Sequence, residues 1–343
     1  MRPRILFYSS VASKKQFVAQ EYYRTDIRIL RSLGFDVFLS RHWYDYLAFW
    51  RYDVAFIYFY RFGLIPAILA RIAGKGVVFS GGIDYLNRAS SSLQQYILQS
   101  LFYNLCGLFS SCNIIVSEAD LANCERVRLL FPARRQLVSK HAISDLFLAP
   151  VNPDVKEKLI VTIAWMGRTE NVVRKGVIEA IDFFRELSTR EVGWRMLIIG
   201  PTGEGSGIVS RHLEETGLSN QVLLTGRVSE ETKLNLLAKA QVYLQLSRYE
   251  GFGIAAIEAL GRDCVVVHSG AGGLREGVGT HGILWSAEAP IAAVQNTQIL
   301  LADGPRLQAW RGAGRQHVTQ HYSVAARVQG FKVALRPWLP QGI

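Results

Sequence analysis

The sequence predicts an α/β protein of two consecutive units, each a parallel sheet covered by helices. Three observations carry that expectation. Short apolar runs alternate with helix-favouring stretches along the chain, the pattern of strands buried on both faces and joined by crossover helices. The alternation pauses once, at Asp145-Leu146-Phe147-Leu148-Ala149-Pro150-Val151-Asn152-Pro153, where two prolines in a short stretch mark a linker. The 343 residues, 49% hydrophobic and 20% charged, suffice for two cores and are too apolar for disorder. The expected division is 1–150 and 151–322.

In the first half, Arg4-Ile5-Leu6-Phe7-Tyr8 reads as a strand, with Ser9-Ser10 opening its loop. Gln16 to Leu33 reads as one helix ended by Gly34, because glycine takes the left-handed conformation that closes helices. Strands follow at 35–39, 54–58 and 76–80, with a helix from Leu64 to Ile72. The run from Ala89 to Ser117 has no charge. Its apolar residues fall at helical spacing, but its glutamines keep it too polar to span a bilayer, so a buried amphipathic helix is expected, or an interfacial one. A strand at 112–117, a helix from Glu118 to Leu130 and a run at 136–139 complete the half.

After the linker come a strand from Leu159 to Met166, a helix from Val177 to Leu187, and a strand at 196–200. A helix ends at Gly217, and 222–225 is a strand. Ser229-Glu230-Glu231-Thr232 caps a helix to Ala240, since a serine oxygen can take a free first-turn N–H. An apolar run at 242–246 precedes Ser247-Arg248-Tyr249-Glu250-Gly251-Phe252-Gly253-Ile254, and 264–267 is the last expected strand. Helices around 291–301, 306–322 and 323–335 close the chain.

The net charge is +11. Residues 1–150 hold 18 Lys/Arg against 10 Asp/Glu, a balance of +8. The same half is rich in aromatics, including Trp43, Tyr44, Tyr46, Phe49, Trp50, Tyr52, Phe56, Tyr58, Phe59 and Tyr60. Cations mixed with Trp and Tyr suit an anionic membrane surface better than nucleic acid, and also fit a buried strand ringed by solvated arginines. The four cysteines form no Cys-x-x-Cys pair and read as reduced thiols of a cytosolic chain. The N-terminal apolar run is too short for a signal peptide, and no run reaches the length of a spanning helix.

Three groups could carry chemistry. Gly167-Arg168 and Arg174-Lys175-Gly176 read as cations flanking a loop into a helix, placed where a diphosphate would meet guanidinium, ammonium and helix N–H groups. Cations at a helix start oppose the helix dipole, which favours a ligand over chance. Glu250 and Glu258 are eight positions apart, about 12 Å of helix, too far to share a proton. Between them Gly251 and Gly253 allow close backbone approach to a ligand. Hydroxyls at both ends and an anion in the middle, as in a nucleotide-sugar, would suit this layout; two solvated helix-start acids fit the spacing equally. The third group is Gly270, Gly272 and Gly273 with Glu276. No P-loop, Gly-x-Ser-x-Gly or His-Glu-x-x-His occurs and no Gly-x-Gly-x-x-Gly dinucleotide fingerprint follows the first strand; with no Asp-x-Asp in the chain, no metal is expected.

Together these groups resemble the family-4 retaining glycosyltransferases, group 1 glycosyltransferases of the GT-B fold. The order Gly167-Arg168…Lys175-Gly176, Ile198-Ile199-Gly200, Thr225-Gly226-Arg227-Val228-Ser229, Glu250-Gly251-Phe252-Gly253…Glu258 and Gly272-Gly273-Leu274-Arg275-Glu276 carries the resemblance. It implies two Rossmann-like domains facing across a cleft, with a last helix at about 323–343 crossing back to the first. It implies that Gly167, Arg168 and Lys175 grip the pyrophosphate and that Glu258 holds the ribose. Glu250 and the backbone of Gly251, Phe252, Gly253 and Ile254 would face the sugar and β-phosphate, with Gly200, Arg227 and Val228 also on the donor. Where many members carry a glycine pair after the first strand, this chain has Ser9-Ser10. Where many carry a histidine after the fourth strand, it has Ser80-Gly81-Gly82-Ile83-Asp84, which makes Asp84 the candidate sugar contact beside Glu250.

The function expected is transfer of a hexose-type sugar, with retention, from a nucleoside-diphosphate-sugar to a glycolipid or lipid-linked saccharide in cell-surface polysaccharide synthesis. The setting expected is cytoplasmic, peripheral on the inner face of an anionic membrane, with no cofactor beyond the donor. The alternatives are a nucleotide-sugar epimerase or hydrolase on the same fold, and a non-catalytic nucleotide-sugar-binding subunit.

Overall fold

The computed structural model describes residues 2–88, 91–340 and 342 and divides into two units. One is Met1–Ser144 with Tyr322–Ile343, the other Asp145–His321.

The first unit runs β1 (Arg4–Tyr8), α1 (Gln16–Ala19), α2 (Glu21–Ser32), β2 (Asp36–Ser40), β3 (Val54–Tyr58), α3 (Leu64–Ile72), β4 (Gly76–Ser80), α4 (Leu93–Phe109), β5 (Cys112–Ile115), α5 (Glu118–Val127) and β6 (Gln136–Val138). All six strands are parallel, in the order β2-β1-β3-β4-β5-β6. Every residue of β3 and β4 is buried, which is why these strands read as unbroken apolar runs. One core holds Tyr46, Ala67, Tyr103 and Cys124, from the turn after β2, α3, α4 and α5. The other holds Phe17, Tyr23 and Leu30 with Phe331 and Leu335.

Several expectations change here. The helix expected over Gln16 to Leu33 breaks at Gln20, whose backbone is extended. The break lets Phe17 and Tyr23 both meet Phe7 edge-on, at 5.7 and 6.1 Å. Six residues apart on one continuous helix, they would face different directions. The helix from Glu118 ends at Val127, not Leu130, because the Leu129 and Leu130 amides donate to Asn104 Oδ1. The ten aromatics divide: Tyr46, Tyr52, Phe56, Tyr58 and Tyr60 are core, Phe59 is half-buried, and Trp43, Tyr44, Phe49 and Trp50 are exposed. In α4, Tyr103, Cys106 and Gly107 are buried but Leu93, Ile97, Leu101 and Leu108 are exposed, so the uncharged helix is only half covered. Ala89 and Ser90, at the start of that run, lie outside the described residues.

The second unit runs β7 (Glu157–Ile163), α6 (Thr169–Lys175), α7 (Val177–Arg190), β8 (Arg195–Ile199), α8 (Ser206–Glu215), β9 (Val222–Gly226), α9 (Glu230–Lys239), β10 (Ala240–Gln245), α10 (Ile254–Gly261), β11 (Val265–His268), α11 (Gly273–Val278), β12 (Gly282–Leu284), α12 (Pro290–Ala302) and α13 (Gly304–Tyr322). Its parallel order is β12-β11-β10-β7-β8-β9. The unit begins at Asp145 rather than 151, because Arg262 donates to the carbonyls of Leu146 and Ala149 and ties that stretch down. The strand expected to reach Met166 stops at Ile163.

The last helix, α14 (Val324–Ala334), belongs to the first unit. Its Arg327 grips Asp26 of α2 with both ends of the guanidinium, at 2.5 and 2.6 Å, and donates to the Ser139 and Lys140 carbonyls. Both partners of this pair are 1% exposed. Such a fork satisfies a buried carboxylate and a buried guanidinium together. Gln341 and Ile343, inside the last helix expected, lie outside the described residues.

Candidate functional site

In the second unit the strand order reverses direction at β7. The chain builds β7-β8-β9 outward on one side, then returns to place β10 on the other. In open α/β sheets the crevice at the carboxyl ends of the two strands beside such a reversal is where ligands bind. The loops there are Ala164–Arg168 after β7 and Leu246–Gly253 after β10. Both are among the motif segments singled out above.

Arg168 is the N-cap of α6, with an exposed side chain. Its guanidinium makes no ion pair among the described residues. Arg174 and Lys175 sit in the last turn of α6. They also directly precede Gly176, the N-cap of α7, so the helix start expected at Val177 is there, and the end of α6 adds a C-terminal dipole that favours cations. The two helix ends act on these cations in opposite senses, so the contacts of Lys175 carry the argument instead. Lys175 Nζ lies 2.5 Å from Glu250 Oε1. Gly176 makes this possible. Its φ of 63° is left-handed, and a Cβ there would fall 2.1 Å from the Leu246 carbonyl oxygen. With no side chain, the end of α6 presses onto the loop after β10. Arg248 N donates to the Arg174 carbonyl at 2.8 Å, and Arg174 Nη1 to the Tyr249 carbonyl at 3.3 Å.

Glu250 is buried, and its Oε1 also accepts from Ser247 Oγ at 2.8 Å and Gln245 Nε2 at 3.1 Å. Tyr243 OH donates to Gln245 Oε1 at 2.6 Å, so a line of polar side chains holds the carboxylate from behind. Burial pushes the Glu250 carboxyl up, but Lys175, Arg174 and the Ser247 hydroxyl outweigh it and hold it below the usual range. Glu250 is therefore ionised at neutral pH.

Gly253 caps α10 without a side-chain cap, leaving first-turn N–H groups unfilled by side chains, and Ile254 begins the helix. Glu258, in the second turn of α10, is 1% exposed. Lys233 of α9 lies 2.9 Å from each of its oxygens and 2.9 Å from Glu230. Burial pushes the Glu258 carboxyl up, and Lys233 pulls it back only in part. For Lys233 burial works downward, but two carboxylates outweigh it and keep the ammonium charged. Glu250 and Glu258 thus have separate cations and do not form a dyad.

The third glycine group packs onto the same loop. Gly273 N donates to the Glu250 carbonyl at 2.8 Å, and a Cβ on Gly272 would fall 2.2 Å from that oxygen. Gly167, Lys175, Gly251, Phe252, Gly253 and Ile254 therefore gather around two adjoining loops. Gly200 lies at the end of β8, its N–H bonded to the Gly226 carbonyl. Arg227, exposed, and Val228 follow the outer strand β9, and their side chains have no described contact with that cluster. Asp84 belongs to the first unit, where it opens a turn after β4. Among the described residues no group of three or more His, Cys, Asp or Glu is placed to hold a metal ion.

Sequence reasoning missed Lys233, Gln245 and Ser247. Gln245 had a signal: it is a polar residue inside the apolar run of a parallel strand buried on both faces. Lys233 had none, because its partner Glu258 is 25 residues away.

A family model for the group 1 glycosyl transferases matches residues 145–317, half of the chain and nearly all of the second unit. The GDP-mannose:cellobiosyl-diphosphopolyprenol alpha-mannosyltransferase of Xanthomonas campestris is 33% identical over 109 residues, 32% of this chain and 28% of that enzyme. The MMP alpha-(1->4)-mannosyltransferase of Mycolicibacterium hassiacum is 33% identical over 123 residues, 35% of this chain and 30% of that one. The match thus spans under a third of the length of these curated relatives. A structure of Anabaena HepE with UDP and glucose superposes with a TM-score of 0.76 over 98% of this chain and 100% of that one, at 16% identity. At that identity the likeness is one of fold, and the fold is GT-B. The chain belongs to the group 1 glycosyl transferases.

Proposed function

We propose that the protein is a retaining glycosyltransferase that takes a hexose-type sugar from a nucleoside-diphosphate-sugar. One observation carries the reading: at the strand-order reversal, Lys175 is locked to an ionised, buried Glu250, with the exposed Arg168 at the other end of the same short helix and no side-chain cap on the start of α10. Arg168, Lys175 and the first N–H groups of α10 take the diphosphate. As charge builds on the leaving phosphate they stabilise it without reorganising. Glu250, being ionised, accepts from sugar hydroxyls rather than donating a proton. The leaving phosphate takes the acceptor proton, so what the chain supplies is orientation and charge. Glu258, with Lys233, anchors the ribose. The two curated relatives are named as mannosyltransferases, one of them for GDP-mannose and a diphosphopolyprenol-linked acceptor. Those names support a mannosyl donor and, from the first of them, a lipid-linked saccharide acceptor; the basic, aromatic first half is what suggests an anionic, cytoplasmic membrane face and a role in cell-surface polysaccharide synthesis.

A thermal-shift panel of UDP, GDP and ADP with their sugars tests the donor site, since a ligand of the folded state alone raises stability by mass action. A rise with one of them is expected, GDP first, and no rise with any overturns the reading. Transfer to a lipid-linked saccharide with the donor's anomeric configuration kept, read by NMR, tests the reaction. Sugar release that needs no acceptor would make the protein a hydrolase. A thermal shift without turnover would make it a binding subunit.

A further inference from the structure

One face of the first unit is left apolar and uncovered. The outer stripe of α4 carries Leu93, Ile97, Leu101 and Leu108, all exposed. Their spacings of four, four and seven put them within one quarter of the helix circumference. Beside the stripe stand Leu129 and Leu130, 83% and 48% exposed. They are not loosely exposed. Asn104, buried in α4, accepts from both of their amides at 2.7 and 3.1 Å and donates to the Ser100 and Val127 carbonyls at 2.9 and 2.7 Å. A fully engaged buried side chain thus holds two leucines out in solvent. Next to α4 lies α3, exposing Ile65 and Ile72, and beyond it the turn Trp43–Leu47, exposing Trp43 and Tyr44. An exposed apolar surface spread over several neighbouring elements marks a docking site.

The charges identify the partner. From Arg61 to Ser117 the chain has Arg61, Arg71, Lys75 and Arg88 against Asp84; the turn adds Asp45 between Arg41 and Arg51, and Leu129-Leu130 is flanked by Arg126, Arg128, Arg134 and Arg135 against Glu125, so cations prevail throughout. Helix α4 has no charge, and Arg71 is the one charge on α3. A second protein surface would need its own apolar patch of matching shape. A bilayer needs only what is here: apolar side chains to enter the acyl boundary, Trp and Tyr at headgroup level and cations for anionic lipid. Among the described residues no helix is long and apolar enough to cross a membrane, and the contact argued for is one of lying on the surface.

We propose that this face, α4 with the Leu129-Leu130 pair, α3 and the turn Trp43–Leu47, docks on an anionic lipid bilayer by inserting its leucines and aromatics. Such a surface serves the lipid-linked acceptor proposed above and rests on that reading. The test is co-sedimentation with vesicles of phosphatidylcholine alone and of phosphatidylcholine with phosphatidylglycerol, at low and high salt. The native protein partitions onto the anionic vesicles, less so at high salt. The Leu129→Ser/Leu130→Ser protein loses at least about tenfold in partition, and Ile97→Ser/Leu101→Ser behaves alike. Both variants keep the native thermal shift with nucleoside diphosphates, which reports the second unit and separates failure of this face from failure of the donor site. Partition that is unchanged in both variants overturns the proposal. So does a native protein that ignores anionic vesicles. A concentration-dependent dimer abolished by the same substitutions, with no vesicle binding, would assign the face to a second copy instead and overturn it as well.

Discussion

The two units use one architecture with different wiring. Numbered within itself, the second sheet runs 3-2-1-4-5-6, and the first runs 2-1-3-4-5-6. Both are doubly wound, and both have a direction reversal beside their first strand. They differ in what their polar groups do. In the second unit, two ion pairs, Lys175–Glu250 and Lys233–Glu258, lie on the loop and helix that follow β10. In the first unit the strongest pair, Asp26–Arg327, faces inward and fastens a helix. At the strand ends there, serine hydroxyls make the contacts: Ser9 bonds to Tyr23 at 2.6 Å, and Ser40 donates to Asp45 at 2.6 Å. One scaffold thus spends its charges on a site, the other on holding itself together. A charged motif therefore points to a site when its ion pair reaches the loop or the first helix turns after a strand, as Glu250 and Glu258 do, and to packing when it fastens one helix to another, as Asp26 and Arg327 do.

Four experiments would break or sharpen that contrast. The largest effect is expected from Arg327→Ala. It strips Asp26 of its guanidinium while both lie fully buried, so the chain should lose about 3–5 kcal/mol in urea unfolding, with nucleotide binding by the second unit retained at low denaturant. A loss under about 1 kcal/mol would mean the pair is not structural.

The next effect concerns a histidine at a strand end in each unit. His268 ends β11 and is buried; burial first, then Arg275, lowers its imidazole to about 4. His141, after β6, is likewise pushed down by burial and by Arg327. A lowered pKa means the folded form binds fewer protons than the unfolded one. Stability is then full above the ordinary histidine value and falls as pH drops through it, flattening once the folded value is passed. For His268 the loss between about pH 6.5 and 4 should be roughly 3 kcal/mol. His268→Gln should remove most of that slope; an unchanged slope would place it on other groups.

Lys175→Ala should weaken nucleoside-diphosphate binding about thirtyfold, near 2 kcal/mol, since a charge-assisted contact is lost and Glu250 is left beside the phosphates. It should also make binding respond to pH in the acid range, because Glu250 then loses the partner that holds its carboxyl low. Calorimetric titration would show both. The smallest effect is expected from Arg168→Ala. Its exposed guanidinium is screened by solvent, and a loss of about threefold to tenfold in the same titration is expected, largest at low salt. An effect larger than that of Lys175→Ala would reverse the roles assigned to the two cations.

The sequence made much of the fold legible, and the reason is physical. A strand buried on both faces must be apolar throughout, so 54–58 and 76–80 could be placed to the residue. Shorter elements were not legible. Three-residue β12 is too brief for any period. The six- and seven-residue helices α11 and α6 looked like loops because their glycines and cations suit loops equally. The donor motifs could be ordered along the chain because their residue types are unusual. The exposed leucine pair could not, since Leu129-Leu130 reads as the end of a helix until Asn104 is seen to hold it.

By itself the sequence determined two α/β units, a motif-bearing second half and a basic, aromatic first half. Those follow from period, composition and the chemistry of single residues, which are local. Only the tertiary structure decided which glutamate has which lysine, that Arg174 and Lys175 close one short helix directly before the next begins, and which aromatics are core and which face solvent. Each of these depends on partners distant in sequence: Lys175 and Glu250 are 75 residues apart and Asp26 and Arg327 301. Charge pairing and burial are set by packing, and packing is not written in any one stretch of chain.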